Sequence, residues 1–241
     1  MAKKRKIRPQ SGVMRLTKQR LTEGGLPGPD GALIRYPRSE EAAQVGALLK
    51  RATEEIEQGY IDSIAAGQCG GWLLDGLSDT ENLLEPLVRA AAAGRFVQAA
   101  AALTLPLVVQ DKEGELVAAL LAVPPGTVVS TVRQLPGYEQ HALLAMLKYA
   151  KIKGVAVRKD AHGRGLGAAL LKRCAQMYWQ LDFMLLFGEF ETSRALGPYY
   201  TRQGFTVLEP GQTTDVGTLL TGRPIGLGAG PGETFFYQWS P

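Results

Sequence analysis

The run Gly154-Val-Ala-Val-Arg-Lys-Asp-Ala-His162-Gly-Arg-Gly-Leu-Gly167-Ala-Ala-Leu-Leu-Lys-Arg-Cys174 decides how the rest of the chain is read. Val155, Ala156 and Val157 form a short apolar stretch suited to a buried strand. Gly163, Gly165 and Gly167 follow at alternate positions, and then Ala168, Ala169, Leu170 and Leu171, all good helix formers. Strand, glycine turn and helix start together make an anion site. The first N–H groups of a helix have no partner within it and carry partial positive charge, so they suit a phosphate. Glycine lets that backbone approach the phosphate with no Cβ between them. Arg164 adds a charged donor at the same mouth.

Several readings fit such a turn. A Walker A loop ends in Gly-Lys-Ser/Thr, which is absent here. Gly163-x-Gly165-x-x-Ala168 matches a relaxed dinucleotide fingerprint, with Glu189 and Glu191 downstream as ribose ligands. A tight strand-to-helix turn that binds nothing is the plain structural reading, since 29 glycines produce such spacings by chance. The dinucleotide reading lacks its context. Its fingerprint belongs on a first strand with several strand–helix units after it, whereas this loop lies two-thirds along the chain and behind a hairpin.

A second stretch decides between them. Ser193-Arg-Ala-Leu-Gly-Pro-Tyr-Tyr200-Thr-Arg-Gln-Gly204-Phe205 stands about thirty residues beyond the glycine loop. The pair resembles the GNAT superfamily of N-acetyltransferases. That family has an Arg/Gln-x-x-Gly-x-Gly/Ala pyrophosphate loop, then an Asn, a short helix carrying a Tyr, and Gly-Phe. Here His162 stands in place of Arg or Gln, and Ser193 in place of Asn. The resemblance is closest over residues 105–208.

The resemblance implies an α/β (α+β) GNAT fold: a mixed, mostly antiparallel central sheet with helices on both faces, plus helical elaborations at 60–105 and 125–150. It implies acetyl-CoA as co-substrate, no metal, and transfer of acetyl to a primary amine of a small molecule or protein. Pantetheine would lie along Val155, Ala156 and Val157. Pyrophosphate would fall on His162, Gly163, Arg164, Gly165, Leu166, Gly167 and Ala168, with Ser193 as a further contact. Tyr200 matches the tyrosine that protonates the leaving thiolate. Many relatives carry a Glu on the strand before the loop, but residues 151–157 contain no acid. Glu189 and Glu191, closing the next strand, are the candidates for general base, acting through water. The alternative is a GNAT-fold module that binds CoA or a partner without turnover.

Composition sets the outer bounds. At 241 residues, 45% hydrophobic and 21% charged, the chain has the make-up of a globular protein with one substantial core. No apolar run is long enough to span a bilayer and no signal peptide is visible, so a cytoplasmic location with no membrane partner is expected. Cys69 and Cys174 are too few for a disulfide framework, and His141 and His162 too few for a zinc site. Residues 1–30 hold eight of the 27 cations and two of the 23 anions, leaving a body of 19 against 21. Those residues read as a basic, flexible arm ending in a Gly/Pro linker, able to contact nucleic acid or an acidic partner weakly. The domain then runs over 31–241, and a homodimer is among the expected assemblies.

Along the domain, residues 32–36 read as a strand and Ser39 as the N-cap of a helix with Val45, Leu48, Leu49, Ala52 and Ile56 on one face. A helix after Asp79 has Leu83, Leu84, Leu87, Val88 and Ala91 inward. Asp111-Lys-Glu-Gly114 joins two strands as a hairpin. Val128, Val129 and Val132 extend the sheet, and 138–149 is an amphipathic helix built on Leu143, Leu144 and Leu147. Residues 210–232 read as a long glycine-rich loop, and 233–239 as a last strand covered on both faces.

Overall fold

The computed structural model describes residues 14–53, 56–138 and 141–241. The lysines and arginines of residues 3–8 lie outside them, as do Glu54, Glu55, Glu139 and Gln140.

The expected arm is corrected from residue 14 onward. Leu16, Leu21 and Leu26 are buried in the main core. Gln180 holds Leu16 as a neighbouring strand would, accepting from its N–H and donating to its C=O, each at 2.9 Å. Leucines five apart follow neither the helical nor the strand period, so sequence periodicity does not reveal a segment that docks by single side chains.

The segment leads into a hairpin of β1 (Leu26–Pro27) and β2 (Leu33–Arg35). Five helices follow: α1 (Ala42–Leu49), α2 (Gln58–Ala65), α3 (Gly71–Gly76), α4 (Glu81–Ala92) and α5 (Phe96–Ala102). Next come β3 (Leu105–Gln110), β4 (Leu116–Val123), α6 (Gly126–Gln134), α7 (His141–Lys148) and β5 (Tyr149–Val157). The remainder is α8 (Leu166–Gln180), β6 (Leu185–Glu191), α9 (Gly197–Arg202), β7 (Thr206–Val207), β8 (Thr214–Asp215), α10 (Thr218–Thr221), β9 (Gly226–Leu227) and β10 (Glu233–Trp239).

Eight strands form one sheet in the order β1-β2-β3-β4-β5-β6-β10-β7. Only β5 and β6 run parallel; every other neighbour is antiparallel. This is the mixed, mostly antiparallel sheet with helices on both faces that the sequence pointed to. On one face α8 packs with α3–α5 and the N-terminal segment, through Leu107, Val109, Leu120, Ala122, Ile152 and Phe236. The other face divides. Helices α1 and α2 cover Val108, Ala119 and Leu121, while α6, α7 and α10 cover Tyr149, Phe187 and Phe235. Phe235 and Phe236 thus enter opposite layers, which makes β10 a strand covered on both faces.

Several local expectations are corrected. Val128 and Val132 lie one helical turn apart on the buried side of α6; they do not extend the sheet. β-Branched residues read as strand locally, but here they fill a helix–sheet layer. Helix α4 buries Leu83, Leu87 and Ala90, while Leu84 and Val88 face solvent. In α7 the buried residues are Ala142, Ala145 and Met146, and Leu144 is exposed. The 210–232 loop is organised by Asp215, whose carboxylate accepts from the N–H groups of Gly217, Thr218 and Ile225. A hydrogen bond from the Thr218 side chain, together with those N–H groups, holds its pKa at about 2.

Ser39 does not cap α1. Glu41 instead accepts from the N–H of Arg38 at 2.7 Å. Its two oxygens also receive Arg35, at 2.6 and 2.8 Å, and Arg35 further donates to Gln110 and to the carbonyl of Tyr36. Arg35 is buried, so its charge is met on every side. The Arg35 hydrogen bonds hold the Glu41 carboxyl below its ordinary range. This pair fixes the base of α1.

Candidate active site

The site begins where two strands part. Strands β5 and β6 pair from Tyr149–Leu185 to Ile152–Gly188 and no further. Gly188 stands at the fork. A Cβ there would lie 2.5 Å from the Phe236 ring and 2.8 Å from the carbonyl oxygen of Ile152, so only glycine lets three strands close at this point. Beyond Ile152, the β6-facing edge of β5 borders a cleft instead of a strand. A register shift between Leu121 and Ala122 places a bulge at the same point on the other edge of β5.

A cleft of about 1270 Å³ follows from the fork to the start of α8. Val155, Ala156 and Val157 line one wall, and His162, Gly163, Gly165, Leu166, Gly167 and Ala168 the end. Gly165 is the N-cap of α8 with φ 74°, and Gly163 has φ 77°, both in the left-handed region that favours glycine. A Cβ on Gly167 would lie 2.7 Å from the Tyr199 hydroxyl. Unpaired N–H groups at a fifteen-residue helix, a cradle without side chains and a bordering strand edge fit a pyrophosphate with an extended arm. His162 folds back so that Nε2 lies 2.9 Å from the carbonyl oxygen of Val157, which ties the loop to the strand.

Two expected residues are not brought to the cleft. Arg164 points to the N-terminal segment, its Nε donating to Asp30 at 3.0 Å. Ser193 is exposed and lines neither cleft described here. Its neighbour Arg194 stands there instead, donating to the backbone carbonyls of Arg51 and Ala52 and so tying the β6–α9 connection to the end of α1. Arg51, Ala52, Arg194 and Tyr199 all line the cleft and were missed from the sequence. Only Tyr199 carried a signal, as half of a Tyr-Tyr pair on a short helix.

Tyr200 is buried within an aromatic group. Its ring stacks on Phe236 at 3.7 Å and on Phe190 at 5.5 Å, with Phe205 edge-on at 5.9 Å. Burial pushes its hydroxyl pKa well above the ordinary tyrosine value, and Tyr199 is pushed up to about 12 for the same reason. Both therefore stay protonated at neutral pH and act as donors.

A second cleft, about 440 Å³, opens on the α1 face of the fork. Glu189 and Glu191 line this one and not the larger, which removes them as ribose ligands for anything in the glycine loop. Lys151 donates to Oε2 of Glu189 at 2.6 Å, whereas Glu191 is exposed. Arg51, Ala52, Val155, Arg194, Leu196 and Tyr200 line both clefts. They mark where the two meet.

A family model described as an acetyltransferase (GNAT) domain matches residues 108–207. No curated protein sequence matches the chain. Among solved structures, nourseothricin acetyltransferase aligns over 57% of this chain and 66% of its own, at 17% identity and TM-score 0.36. The ribosomal-protein-S18-alanine N-acetyltransferase of Escherichia coli aligns over 87% and 94%, at 14% identity and TM-score 0.46. The Salmonella typhimurium protein yncA, solved with its cofactor acetyl-CoA, aligns over 87% and 94%, at 17% and 0.44. Among the described residues no helix is long and apolar enough to cross a membrane.

Proposed function

We propose that the chain, whose residues 108–207 match an acetyltransferase (GNAT) domain model, is an acetyl-CoA-dependent N-acetyltransferase acting on a primary amine. The observation that carries this reading is the meeting of the two clefts at Val155 and Tyr200. The larger cleft joins a strand edge and a glycine loop with Arg51, Lys159, Arg194 and Arg202, which suits an anionic donor, and the smaller adds glutamates, which suits an amine acceptor.

Acetyl-CoA would supply an activated thioester, whose C–S bond breaks as the amine nitrogen bonds to the acetyl carbon. Residues 155–157 would hold the pantetheine arm along the β5 edge, with a backbone N–H polarising the thioester oxygen. Gly163 to Ala168 and the α8 terminus would take the pyrophosphate. Tyr200, at the junction and locked by three aromatic rings, would donate to the departing sulfur. The acceptor's ammonium must lose a proton before attack. Glu189 already has Oε2 committed to Lys151, and protonating it would cost that ion pair. Glu191, which forms no ion pair among the described residues, is therefore the better base, reaching the amine through water.

The Lys151–Glu189 pair is also what favours a second reading, a module that binds CoA without turnover. Calorimetry with acetyl-CoA and a thiol-release assay over a panel of amines separate the two. Binding with release is expected. Binding without release from any amine supports the module, and failure to bind acetyl-CoA ends both readings.

A further inference from the structure

The glycine loop turns its own polar side chains away from the larger cleft. Arg164 is paired with Asp30, and Nε2 of His162 lies against the carbonyl oxygen of Val157. What the loop presents is backbone. Ala169 is the first residue of α8 whose N–H finds a helical partner, the carbonyl of Gly165. The N–H groups of Leu166, Gly167 and Ala168 therefore stay open.

Tyr199 stands over that opening. Its hydroxyl lies 2.7 Å from the position a Cβ of Gly167 would take. In a helix the Cα–Cβ direction leans toward the N-terminus, so the hydroxyl is on the side to which the open N–H groups point. The half-buried ring is held edge-on against Tyr200, with centroids 5.1 Å apart and planes at 75°. The hydroxyl makes no hydrogen bond among the described residues. Burial pushes its pKa up to about 12, which keeps it a donor at neutral pH. Tyr199 lines the larger cleft and not the smaller, whereas Tyr200 lines both. The two neighbouring hydroxyls thus belong to different ends of the same space.

Resting on the N-acetyltransferase reading, we infer that the adjacent tyrosines divide the donor between them: the Tyr199 hydroxyl donates to the diphosphate of acetyl-CoA at the start of α8, while Tyr200 faces the thioester. Glycine at 167 then has a second purpose, since a methyl group there would take the place of the hydroxyl. The acceptor oxygen is charged, which makes the hydrogen bond stronger than one between neutral groups. The diphosphate is remote from the acyl group and unchanged by the reaction. Tyr199 therefore acts on donor affinity and not on the chemical step.

The test uses the full chain, Tyr199→Phe and two donors: acetyl-CoA, and S-acetylpantetheine, which carries the same thioester without the diphosphate. Phenylalanine keeps the ring against Tyr200 and removes only the hydroxyl. Calorimetry should show acetyl-CoA binding weakened about tenfold. Thiol release with one fixed amine should show kcat at saturating acetyl-CoA within about threefold of wild type, and kcat/KM for S-acetylpantetheine within the same margin. Unchanged acetyl-CoA affinity would overturn the inference. An equal loss with both donors would overturn it too, by making the hydroxyl a support for Tyr200. So would a fall in kcat with affinity kept, which would make Tyr199 the proton donor. Wild type that does not bind acetyl-CoA overturns both this inference and the N-acetyltransferase reading. Wild type that binds acetyl-CoA, loses affinity on substitution and releases thiol with no amine upholds the diphosphate contact and strikes that reading alone.

Discussion

The two clefts that meet at Tyr200 are made of different material. The larger is mostly a strand edge, three glycines and the start of one helix, drawn from a single run of residues, with Arg51, Lys159, Arg194 and Arg202 also lining it. The smaller adds acid to its lysines and arginines, with side chains contributed by the segment after α1, β5, β6, the β6–α9 connection and β10, Lys50 and Glu233 being 183 residues apart. Recognition by backbone is indifferent to most side chains, so the same cradle serves any protein that takes the same donor. Recognition by charged side chains is particular to each chain. On the acetyltransferase reading proposed above, the donor side would be generic and the acceptor side individual.

Tyr200 sits on the boundary and should give the largest effect. Tyr200→Phe keeps the ring and its stacking but removes the donor. It should lower kcat by about 10²- to 10⁴-fold with acetyl-CoA affinity nearly unchanged. Steady-state kinetics with parallel calorimetry reads it. A preserved kcat with weakened binding would instead move Tyr200 wholly into the donor cleft.

The second break is made at a distance. Arg35 and Glu41 anchor the base of α1, whose far end supplies Lys50 and Arg51. Their side chains are only 6% and 14% exposed, so Glu41→Gln leaves a buried charge uncompensated and should cost about 3 kcal/mol of stability. In wild type the Glu41 pKa is lowered in the folded state, so its contribution is fully present above the ordinary carboxyl value. It is lost as pH falls through the lower folded value. Urea unfolding from neutral pH down through pH 4 should show the two proteins converging; a constant gap would remove the ion pair as the cause.

Gly167→Val tests the cradle from within. Its side chain would meet the Tyr199 hydroxyl and fill the space at the helix start, weakening acetyl-CoA binding by about 1–3 kcal/mol. The ranking of acceptors by kcat/KM should stay as it was. If selectivity moved with affinity, the two clefts would not be separable. The smallest effect belongs to Asp30→Asn. The Asp30–Arg164 pair is partly exposed at both ends, and such pairs contribute about 0–1 kcal/mol. Acetyl-CoA affinity should change less than about fivefold in calorimetry. A larger loss would show that Asp30 positions the glycine loop.

The same division governs what could be read in advance. The glycine loop, its helix and the 233–239 strand are written in contiguous residues with strong local preferences, and the structure has a strand through Val157, a helix starting beside Gly165 and a last strand at Glu233–Trp239. Tyr200 is singled out because Gly204-Phe205 follows at a fixed distance, and the structure sets it in the lining of both clefts. The opposite holds for Arg51, Ala52 and Arg194, which are joined by hydrogen bonds across more than 140 positions and belong to no local pattern. Arg164 was misplaced for the same reason: its partner Asp30 lies 134 residues away, in a segment that had been read as a detached arm. Valines 128 and 132 misled differently, since their intrinsic preference for strand is outweighed by the layer that α6 completes.

Strand β10 follows β7 in the chain yet lies between β6 and β7 in the sheet. A ribosome therefore delivers the outer strand before the one that must hold it. Until residues 233–239 have emerged, β7 has nothing to pair with and Tyr200 lacks the Phe236 ring beneath it. A nascent chain halted just short of that point would already contain every motif legible in its sequence, but its aromatic floor would be missing. On the acetyltransferase reading proposed above, completion of the last strand is what would place the proton donor beside a bound thioester, and premature termination there would release a protein that carries the signature without that placement.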